Sequence, residues 1–356
     1  MPARRVVVAM SGGVDSSVAA AILKEQGYQV IGVTMQIWPQ DKKDSAGGCC
    51  GLGAIEAAKS VAYKLGIPHY VMNFRDIFAQ RVIADFCREY SLGRTPNPCI
   101  RCNQHVKFDV LLSRAMELEA DFIATGHYGR AEHSSDGYRL LKGVDSTKDQ
   151  SYFLYTLGQR ELRHLLLPLG NFHKTKVRKI AAELGLPTAT SRDSQDICFI
   201  SGGDYRSFIA EHVSASPGDI VDTRGNILGR HDGLARYTVG QRQGLGLASD
   251  RRRYVIRLDI SSNRLIVGTE DQLLSSKLTT SQLNWVSGQA PGELTSIAAK
   301  IRHGSPAVAV ELSSGNGIAE VFFLKPQRAI APGQAVVFYQ DETVLGGGII
   351  EASEPA

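Results

Sequence analysis

The chain has 356 residues, 43% of them hydrophobic, and its 40 Lys and Arg against 36 Asp and Glu give a net charge of +4. This composition excludes a disordered chain, and the length predicts two or three domains. The longest apolar run near the start, residues 6–10, is far shorter than the roughly 18 residues of a membrane span, and no secretory signal is visible, so we expect a cytoplasmic protein without a membrane partner.

The first part of the chain alternates short buried strands with amphipathic helices. In chain order, the predicted elements are a strand over 5–10, a helix over 16–26, strands over 29–35 and 69–73 separated by a helix over 54–65, a helix over 77–90 and a strand over 121–125. Alternation of this kind is typical of a parallel sheet covered by helices on both faces. Residues 1–202 are therefore predicted to form a doubly wound α/β domain.

The pattern changes near residue 202, where short alternating strands follow one another between closely spaced Gly, Pro, Asn and Asp turns. Such a succession is typical of small β domains and barrels. The charge also changes sign, because residues 160–259 carry 16 basic and 11 acidic side chains, whereas residues 281–356 carry 4 and 7. We predict a small β-rich central domain over residues 203–280 and a C-terminal β-barrel over residues 281–356.

The segment directly after the first strand carries a strong chemical signal. It reads Ser11-Gly12-Gly13-Val14-Asp15-Ser16-Ser17 and leads into a helix. Its two glycines allow the backbone to approach a ligand closely, and the helix start offers N–H groups and the positive end of a dipole. The loop predicts a phosphate site that lacks the motifs of P-loop and dinucleotide-binding folds; a merely tight connection is the alternative.

Two cysteines with restrained geometry give a second signal. Cys99 and Cys102 lie in a loop that two prolines stiffen, just before a predicted helix. The helix start and the neighbouring Arg101 and His105 favour the thiolate form of Cys102. These thiols are therefore candidates for catalysis, although a cysteine is also a small hydrophobic residue that proteins often bury.

The remaining cysteines include one further candidate. Cys198 lies far along the chain from Cys102, whereas Cys87 falls inside an amphipathic helix and is expected to be a core residue. Cys49 and Cys50 receive no assignment. In a chain without an export signal the thiols should be reduced, and three soft ligands could hold an iron–sulfur cluster with one open iron, or a zinc ion. We favour thiol chemistry without a metal.

These motifs resemble two nested protein families. The loop at residues 11–17 is similar to the pyrophosphatase loop of the N-type ATP-pyrophosphatases, whose fold is adenine nucleotide alpha hydrolase-like. Almost the entire chain closely resembles the tRNA-specific 2-thiouridylases. The motifs that carry this second resemblance are residues 11–17, 93–108, 124–128, 148–152, 194–199 and 237–246.

The resemblance implies an enzyme that uses ATP and Mg²⁺ to thiolate C2 of the wobble uridine in tRNA. ATP adenylates the uridine oxygen and releases pyrophosphate, so that AMP becomes the leaving group. Asp15 would hold Mg²⁺ against the phosphates. The positions that the resemblance assigns to ATP binding are Ala9, Met10, Ser11, Gly12, Gly13, Val14, Asp15, Ser16, Met35 and Gly126.

The resemblance also implies catalytic roles for three cysteines. Cys198 would carry sulfur as a persulfide received from a sulfur-relay or cysteine desulfurase protein, and Cys102 would attack that persulfide, either freeing hydrosulfide or closing a transient disulfide. Some members have Asp where this chain has Cys99, and a thiol, with an ordinary pKa of about 8.5, is a poorer general acid or base. Open alternatives are an iron–sulfur-dependent version of the reaction, an amide-forming ATP-pyrophosphatase, and an RNA-binding module without catalysis.

Contacts with the tRNA are expected from all parts of the chain. A base that undergoes chemistry must leave its stack, and the rest of the anticodon arm must be held elsewhere. Residues 251–253, three arginines, are a candidate backbone contact on charge alone. The positions that the resemblance assigns to tRNA binding are Asn97, Pro98, Cys99, His127, Lys148, Asp149, Gln150, Arg302, His303 and Gln334.

Overall fold

A computed structural model describes residues 3–37, 52–191, 197–200, 204–247, 252–292, 297–315 and 317–356. Cys49, Cys50, Arg251 and the motif residues 194–196 lie outside the described residues. No helix within the described ranges is both long and apolar enough to cross a membrane.

The first part of the chain is built on a parallel sheet. The strands of this sheet are β1 (Arg5–Ala9), β2 (Gln29–Gln36), β3 (His69–Asn73), β4 (Phe122–Ala124) and β7 (Leu165–Leu166), and a separate hairpin of β5 (Gly129–Ser134) and β6 (Gly137–Lys142) lies between β4 and β7 in the chain. The parallel sheet has the order β3-β2-β1-β4-β7. The predicted α/β fold is therefore confirmed.

Helices cover both faces of this sheet. In chain order they are α1 (Val14–Glu25), α2 (Leu52–Leu65), α3 (Arg75–Phe78), α4 (Ala84–Ser91), α5 (Pro98–Cys102), α6 (Leu112–Glu117), α7 (Gln159–Arg163), α8 (Lys174–Glu183) and, after the sheet, α9 (Tyr205–His212). Two π-helical segments, Ala79–Ile83 and Asn103–Leu111, join α3 to α4 and α5 to α6. Such segments are rare and often occur at functional sites.

The apolar run of β1 explains why this strand lies at the centre of the sheet. Val6, Val7 and Val8 are fully buried. Because successive side chains of a strand point to opposite faces, Val7 packs into one hydrophobic cluster and its two neighbours pack into another. A central parallel strand needs apolar residues at every position, since helices cover both of its faces.

A smaller mixed sheet follows α9. Its strands are β8 (Gly218–Asp222), β9 (Ile227–His231), β10 (Tyr254–Asp259) and β11 (Arg264–Gly268), in the order β10-β11-β8-β9. Ile220, Val255, Leu265 and Val267 form the fully buried centre of its core. This sheet constitutes the central module of the chain.

The last part of the chain forms a closed barrel. Its strands are β12 (Leu274–Trp285), β13 (Ile297–Lys300), β14 (Val308–Gly315), β15 (Ile318–Arg328), β16 (Ala335–Gln340) and β17 (Thr343–Pro355). Antiparallel pairing runs β12-β15-β14-β13-β16-β17, and β17 pairs again with β12 to close the ring. β12 passes through residue 280, where the change in charge suggested a boundary, so the barrel begins at Leu274.

A hairpin from the α/β domain extends the barrel sheet. β5 and β6 pair with each other, and Leu140 and Leu141 of β6 pair with Val344 and Thr343 of β17. An ion pair of 2.5 Å between Arg130 Nη2 and Glu342 Oε2 lies beside this junction. The first domain and the barrel therefore share one sheet, which fixes their relative orientation.

Candidate active site

A cavity of about 340 Å³ lies at the carboxyl ends of β1 and β4. At this point the strand order of the sheet reverses, which is where doubly wound folds bind their ligands. Nine of the ten positions assigned to ATP by resemblance line it, all except Gly12. The other lining residues are Lys107, Thr125, His127, Tyr128, Lys148, Gln150 and Lys174.

Serine hydroxyls hold the loop after β1 in a defined conformation. The Ser16 hydroxyl donates to the Gly13 carbonyl oxygen at 3.1 Å and accepts from the Ser11 N–H at 3.1 Å. Gly13 is the N-cap residue of α1, and no side chain caps this helix. The start of α1 therefore presents backbone N–H groups and the positive end of its dipole at the cavity, an arrangement that suits phosphate.

Two glycines permit the close packing around this loop. Gly12 has φ +72°, and a Cβ there would overlap the carbonyl group of Ala54 in α2. A Cβ on Gly126 would lie 2.7 Å from the backbone nitrogen of Ser16. Gly126 thus allows the segment after β4 to rest directly against the first turn of α1, and a larger residue would fill the phosphate cradle.

The Asp15 carboxylate is held by two side chains that the sequence analysis did not single out. Lys174 Nζ donates to both Asp15 oxygens at 2.7 Å, and the Tyr128 hydroxyl donates to Oδ1 at 2.8 Å. Both partners line the cavity. Tyr128 falls within a motif at residues 124–128, but Lys174 lies in an ordinary basic helix start with no motif that could have indicated it.

The start of α8 is fixed in place by a buried carboxylate. The backbone N–H of Lys174 donates to Asp145 Oδ2 at 2.9 Å, and the Thr147 hydroxyl donates to Oδ1 at 2.6 Å. The hydrogen bond from the Lys174 backbone, and secondly that from the Thr147 hydroxyl, hold the pKa of Asp145 below its ordinary value. An ionised Asp145 thereby anchors the residue whose side chain reaches Asp15.

His127 lies at the cavity as a neutral imidazole. Its Nδ1 is 2.7 Å from the Thr125 hydroxyl. Burial, and secondly the charge of Lys107, lower the pKa of His127 well below its ordinary value of 6.5. Near pH 7 this side chain therefore offers hydrogen bonding without a positive charge.

A short chain of contacts links the cavity to Cys102. Lys107 lines the cavity and its Nζ donates to Asn103 Oδ1 at 3.0 Å. Asn103 is buried, follows Cys102 directly, and donates from Nδ2 to the Phe153 carbonyl oxygen at 3.1 Å. Cys102 is the last residue of α5, and the π-helical segment that follows carries Lys107 back to the cavity.

Arg101, which precedes Cys102 in the chain, is held by contacts with α4 and the barrel. Its Nε lies 3.2 Å from Asp85 Oδ2, and its Nη2 donates to Gln282 Oε1 of the barrel at 2.9 Å. His105 was expected to assist, but burial and then the charge of Arg101 lower its pKa. It is therefore neutral near pH 7 and does not favour the thiolate by charge.

Cys198 and Cys102 are anchored on the same part of the α/β domain. Both are partly buried and pack against one hydrophobic cluster. The ring of Phe199, next to Cys198, makes an edge contact of 5.3 Å with Phe86 of α4. Asp85 of the same helix binds Arg101, which precedes Cys102. Two adjacent residues of α4 therefore contact the residue before Cys102 and the residue after Cys198.

The described residues contain no group of three or more His, Cys, Asp or Glu side chains arranged to hold a metal ion. Cys99, Cys102 and Cys198 are thus not gathered as a ligand set, and Cys99 is exposed. Asp15 is a different case, because Mg²⁺ is commonly held by one or two carboxylates together with substrate phosphates. The Lys174 ammonium already contacts this carboxylate within the cavity, with Nζ 2.7 Å from Asp15 Oδ2.

Several positions assigned to tRNA binding have contacts inside the protein. Asp149 is 7% exposed and accepts hydrogen bonds from Gly143 N, Ser151 N and the Ser151 hydroxyl. Gln150 Oε1 accepts from the Tyr128 N–H at 3.0 Å. Lys148 is half-buried at the cavity. The contacts of Asp149 and Gln150 shape the loop that carries Lys148.

The segment before α5 is similarly organised by its own residues. Asn97 Oδ1 accepts from the N–H groups of Cys99 and Ile100 as the N-cap of α5. Pro98 is buried in the first helical turn, whereas Cys99 is exposed. Of the three residues expected to face the target base, Cys99 is therefore the most accessible to a large substrate.

The barrel positions differ in their exposure. Arg302 is exposed. His303 is also exposed, and its ring lies 4.4 Å from the ring of Phe153, whose carbonyl oxygen accepts from Asn103. Gln334 donates from Nε2 to the Thr95 carbonyl oxygen at 2.8 Å, so its amide supports the segment that leads to α5.

Comparisons with known proteins cover almost the whole chain. Family models match residues 4–202 as a tRNA methyl transferase HUP domain, residues 206–269 as a tRNA methyl transferase PRC-barrel domain, and residues 275–350 as an aminomethyltransferase beta-barrel domain.

Full-length relatives carry a more specific name. A tRNA-specific 2-thiouridylase MnmA of Acetivibrio thermocellus is 50% identical over 99% of this chain and 100% of its own length. Proteins of the same name from Heliobacterium modesticaldum and Clostridium beijerinckii are 52% and 48% identical, over 97% and 98% of this chain and 92% and 99% of theirs.

Proposed function

The chain belongs to the tRNA-specific 2-thiouridylases, and we propose that it forms 2-thiouridine at the wobble position of tRNA by adenylation followed by sulfur transfer at one continuous site. The observation that carries this arrangement is the contact between Lys107, which lines the nucleotide cavity, and Asn103, which follows Cys102. This contact supports a site in which the phosphate loop and Cys102 adjoin each other.

Adenylation requires a phosphate cradle and a place for the base. The phosphates of ATP would lie against residues 11–16, with the adenosine beside Met35 and Gly126. The uridine O2 attacks the α-phosphate, the bond to the β-phosphate breaks, and pyrophosphate leaves as the N3 proton is lost. The N–H groups at the start of α1 stabilise the charge that develops on the phosphates.

Asp15 is the residue that would hold Mg²⁺ in this cavity, and the metal would supply neutralisation of phosphate charge. The Ser11 hydroxyl, 3.3 Å from the Ser16 hydroxyl, lines the same cavity and would add a donor for a phosphate oxygen. His127, Lys107 and Lys148 line the same cavity. These three side chains would bind and orient the uridine and the α-phosphate.

Sulfur transfer follows at the two anchored cysteines. Cys198 would receive one sulfur atom as a persulfide from a sulfur-relay or cysteine desulfurase protein. The Cys102 thiolate attacks Cys198 Sγ, so that a disulfide between them forms and the outer sulfur leaves, either as hydrosulfide or directly to C2. AMP departs from C2 with the former uridine oxygen, and a thiol reductant returns the disulfide to two thiols.

Cys99 is the proposed acid or base of the reaction, since it is exposed at the first turn of α5, near Cys102. Arg302 and His303 of the barrel would contact the anticodon arm, together with Lys148 beside the cavity. Asn97, Pro98, Asp149, Gln150 and Gln334 would act on the tRNA through the loops that their internal contacts shape.

The proposed order of steps is tested by pyrophosphate release without any sulfur source. The purified chain with ATP, Mg²⁺ and a tRNA that has a wobble uridine should release pyrophosphate. The same tRNA with cytidine at that position should give only background release. Equal release with both tRNAs, or release that is independent of tRNA, would contradict adenylation of the target base.

A further inference from the structure

The Asp15 carboxylate has a cationic partner of its own in the cavity. Lys174 Nζ donates to both of its oxygens at 2.7 Å, and the Lys174 side chain is 10% exposed. A bidentate contact of this kind uses the oxygen atoms that a metal ion would need. Lys174 and a divalent cation are therefore alternative partners of one carboxylate.

The charge of the Asp15 carboxylate must be neutralised in the cavity, either by Lys174 or by a divalent cation. A carboxylate beside the phosphates of a nucleotide repels them unless a cation lies between, because the partly buried site screens charge less than water does. Both a metal ion and an ammonium group meet this need. Of the two, only the ammonium group is attached to the protein. Lys174 is held at the start of α8 by the hydrogen bond from its backbone N–H to Asp145.

The neighbours of Lys174 allow its ammonium group to change partner without displacing Asp15. The Tyr128 hydroxyl donates to Asp15 Oδ1 at 2.8 Å, which holds the carboxylate independently of Lys174. The Lys174 Nζ also lies 5.7 Å from the centre of the Tyr128 ring. A lysine side chain is flexible and carries three donors, so it can reach a phosphate oxygen in the same cavity.

We propose that Lys174 is a positioning residue that competes with the divalent cation for Asp15 and binds the phosphates once the cation has replaced it. This inference rests on the proposed function, because it assumes that Asp15 holds the metal. The exchange would ensure that Asp15 is neutralised at each stage, and it would couple metal binding at Asp15 to phosphate binding by Lys174.

Lys107 offers a matched control, since it lines the same cavity and carries the same charge. Its Nζ donates to Asn103 Oδ1 at 3.0 Å, at the end of the site that adjoins Cys102. Removal of Lys107 lowers the positive charge of the cavity by the same amount as removal of Lys174. A difference between the two variants therefore reports on the contact with Asp15.

The test is a titration of the full-length chain with Mn²⁺, followed by electron paramagnetic resonance of the unbound ion, with neither ATP nor tRNA present. Lys174→Met should bind one Mn²⁺ about tenfold more tightly than the wild type, in the usual range of coupling between competing contacts. Lys174→Arg and Lys107→Met should bind it as weakly as the wild type. The double variant Asp15→Asn with Lys174→Met should not show the increased Mn²⁺ affinity of Lys174→Met.

An affinity of Lys174→Met equal to that of the wild type, or a gain that persists in the double variant, would overturn the competition. Inorganic pyrophosphate tests the second half of the proposal, since Lys174→Met should bind it about tenfold more weakly in the presence of Mg²⁺. Unchanged pyrophosphate affinity would overturn that half. Failure of the proposed function would instead appear as missing tRNA-dependent pyrophosphate release by the wild type.

Discussion

Arg94, eight residues before Cys102 in the chain, donates from Nη2 to Glu351 Oε1 of the last barrel strand at 3.1 Å. Its Nε also lies 2.6 Å from Glu89 Oε2 of α4. A backbone hydrogen bond of 2.7 Å from Thr95 N to the Pro332 carbonyl oxygen follows directly. The barrel therefore fixes the start of the segment that leads to the candidate nucleophile.

Glu351→Gln should weaken this contact between domains. The change removes the charge that Arg94 faces, and we expect a loss of about 1–2 kcal/mol, reduced because the carboxylate is partly exposed. Thermal unfolding should show a midpoint about 2–4 °C lower per kcal/mol. Glu354→Gln is the matched control on the same strand, since its contact with Lys277 is a surface ion pair and should change the midpoint little. Equal midpoints for the two variants would contradict the role of Arg94.

The stability that Glu351 contributes should depend on pH. Burial raises its pKa, but the hydrogen bonds from Arg94 and Ser281 outweigh burial, so the pKa lies below the ordinary value of 4.5. A carboxyl whose pKa is lowered by folding stabilises the protein above 4.5 and loses that effect as the pH falls through the folded value. The difference in midpoint between wild type and Glu351→Gln should be constant from about pH 6 to 8 and vanish in acid. A difference that grows in acid would refute this assignment.

Cys198→Ser should abolish 2-thiouridine formation while tRNA-dependent pyrophosphate release continues. A hydroxyl cannot carry a persulfide, whereas adenylation uses the separate phosphate loop. Mass spectrometry of digested tRNA measures the first activity and a pyrophosphate assay the second. Cys87→Ser is the control, because Cys87 lies half-buried in α4 and burial raises the pKa of its thiol. Retained thiolation by Cys198→Ser would remove the persulfide from the mechanism.

Gly126→Ala should abolish ATP binding with the fold retained. The added Cβ would lie 2.7 Å from Ser16 N and 2.8 Å from the Asp15 carbonyl carbon, so the first turn of α1 must shift. Gly53→Ala, in α2, is the matched control, since nothing lies within 4 Å of a Cβ there. Isothermal titration with ATP compares the two, and circular dichroism checks the fold. Normal ATP affinity of Gly126→Ala would mean that ATP does not use this cradle.

Cys99→Asp should keep tRNA-dependent pyrophosphate release at neutral pH. An aspartate is ionised there and can accept a proton, whereas a serine hydroxyl cannot. The rate of pyrophosphate release is compared for the wild type and both variants from about pH 6 to 8. Cys99→Ser should be slow at every pH. Identical profiles for the aspartate and serine variants would exclude an acid or base role at this position.

The local parts of the site are predictable from sequence because they are continuous in the chain. The valines of β1 and the loop at residues 11–17 lie next to each other, so their pattern alone predicts a strand followed by a phosphate cradle. Lys174 joins Asp15 across 159 positions, and no spacing rule connects a helix start to a loop that distant. The pairing between domains was missed for the same reason, since β6 pairs with β17 only through the fold.

ATP-dependent thiolation of the wobble uridine by this chain is measured most simply when sulfide is supplied in place of the donor protein. The reaction combines the purified chain with ATP, Mg²⁺, a thiol reductant, sulfide and a tRNA that has a wobble uridine. The digested tRNA is then analysed by mass spectrometry. We expect 2-thiouridine at the wobble position, one AMP per sulfur inserted, and no product without ATP. An unmodified wobble uridine despite pyrophosphate release, or product formed without ATP, would contradict it.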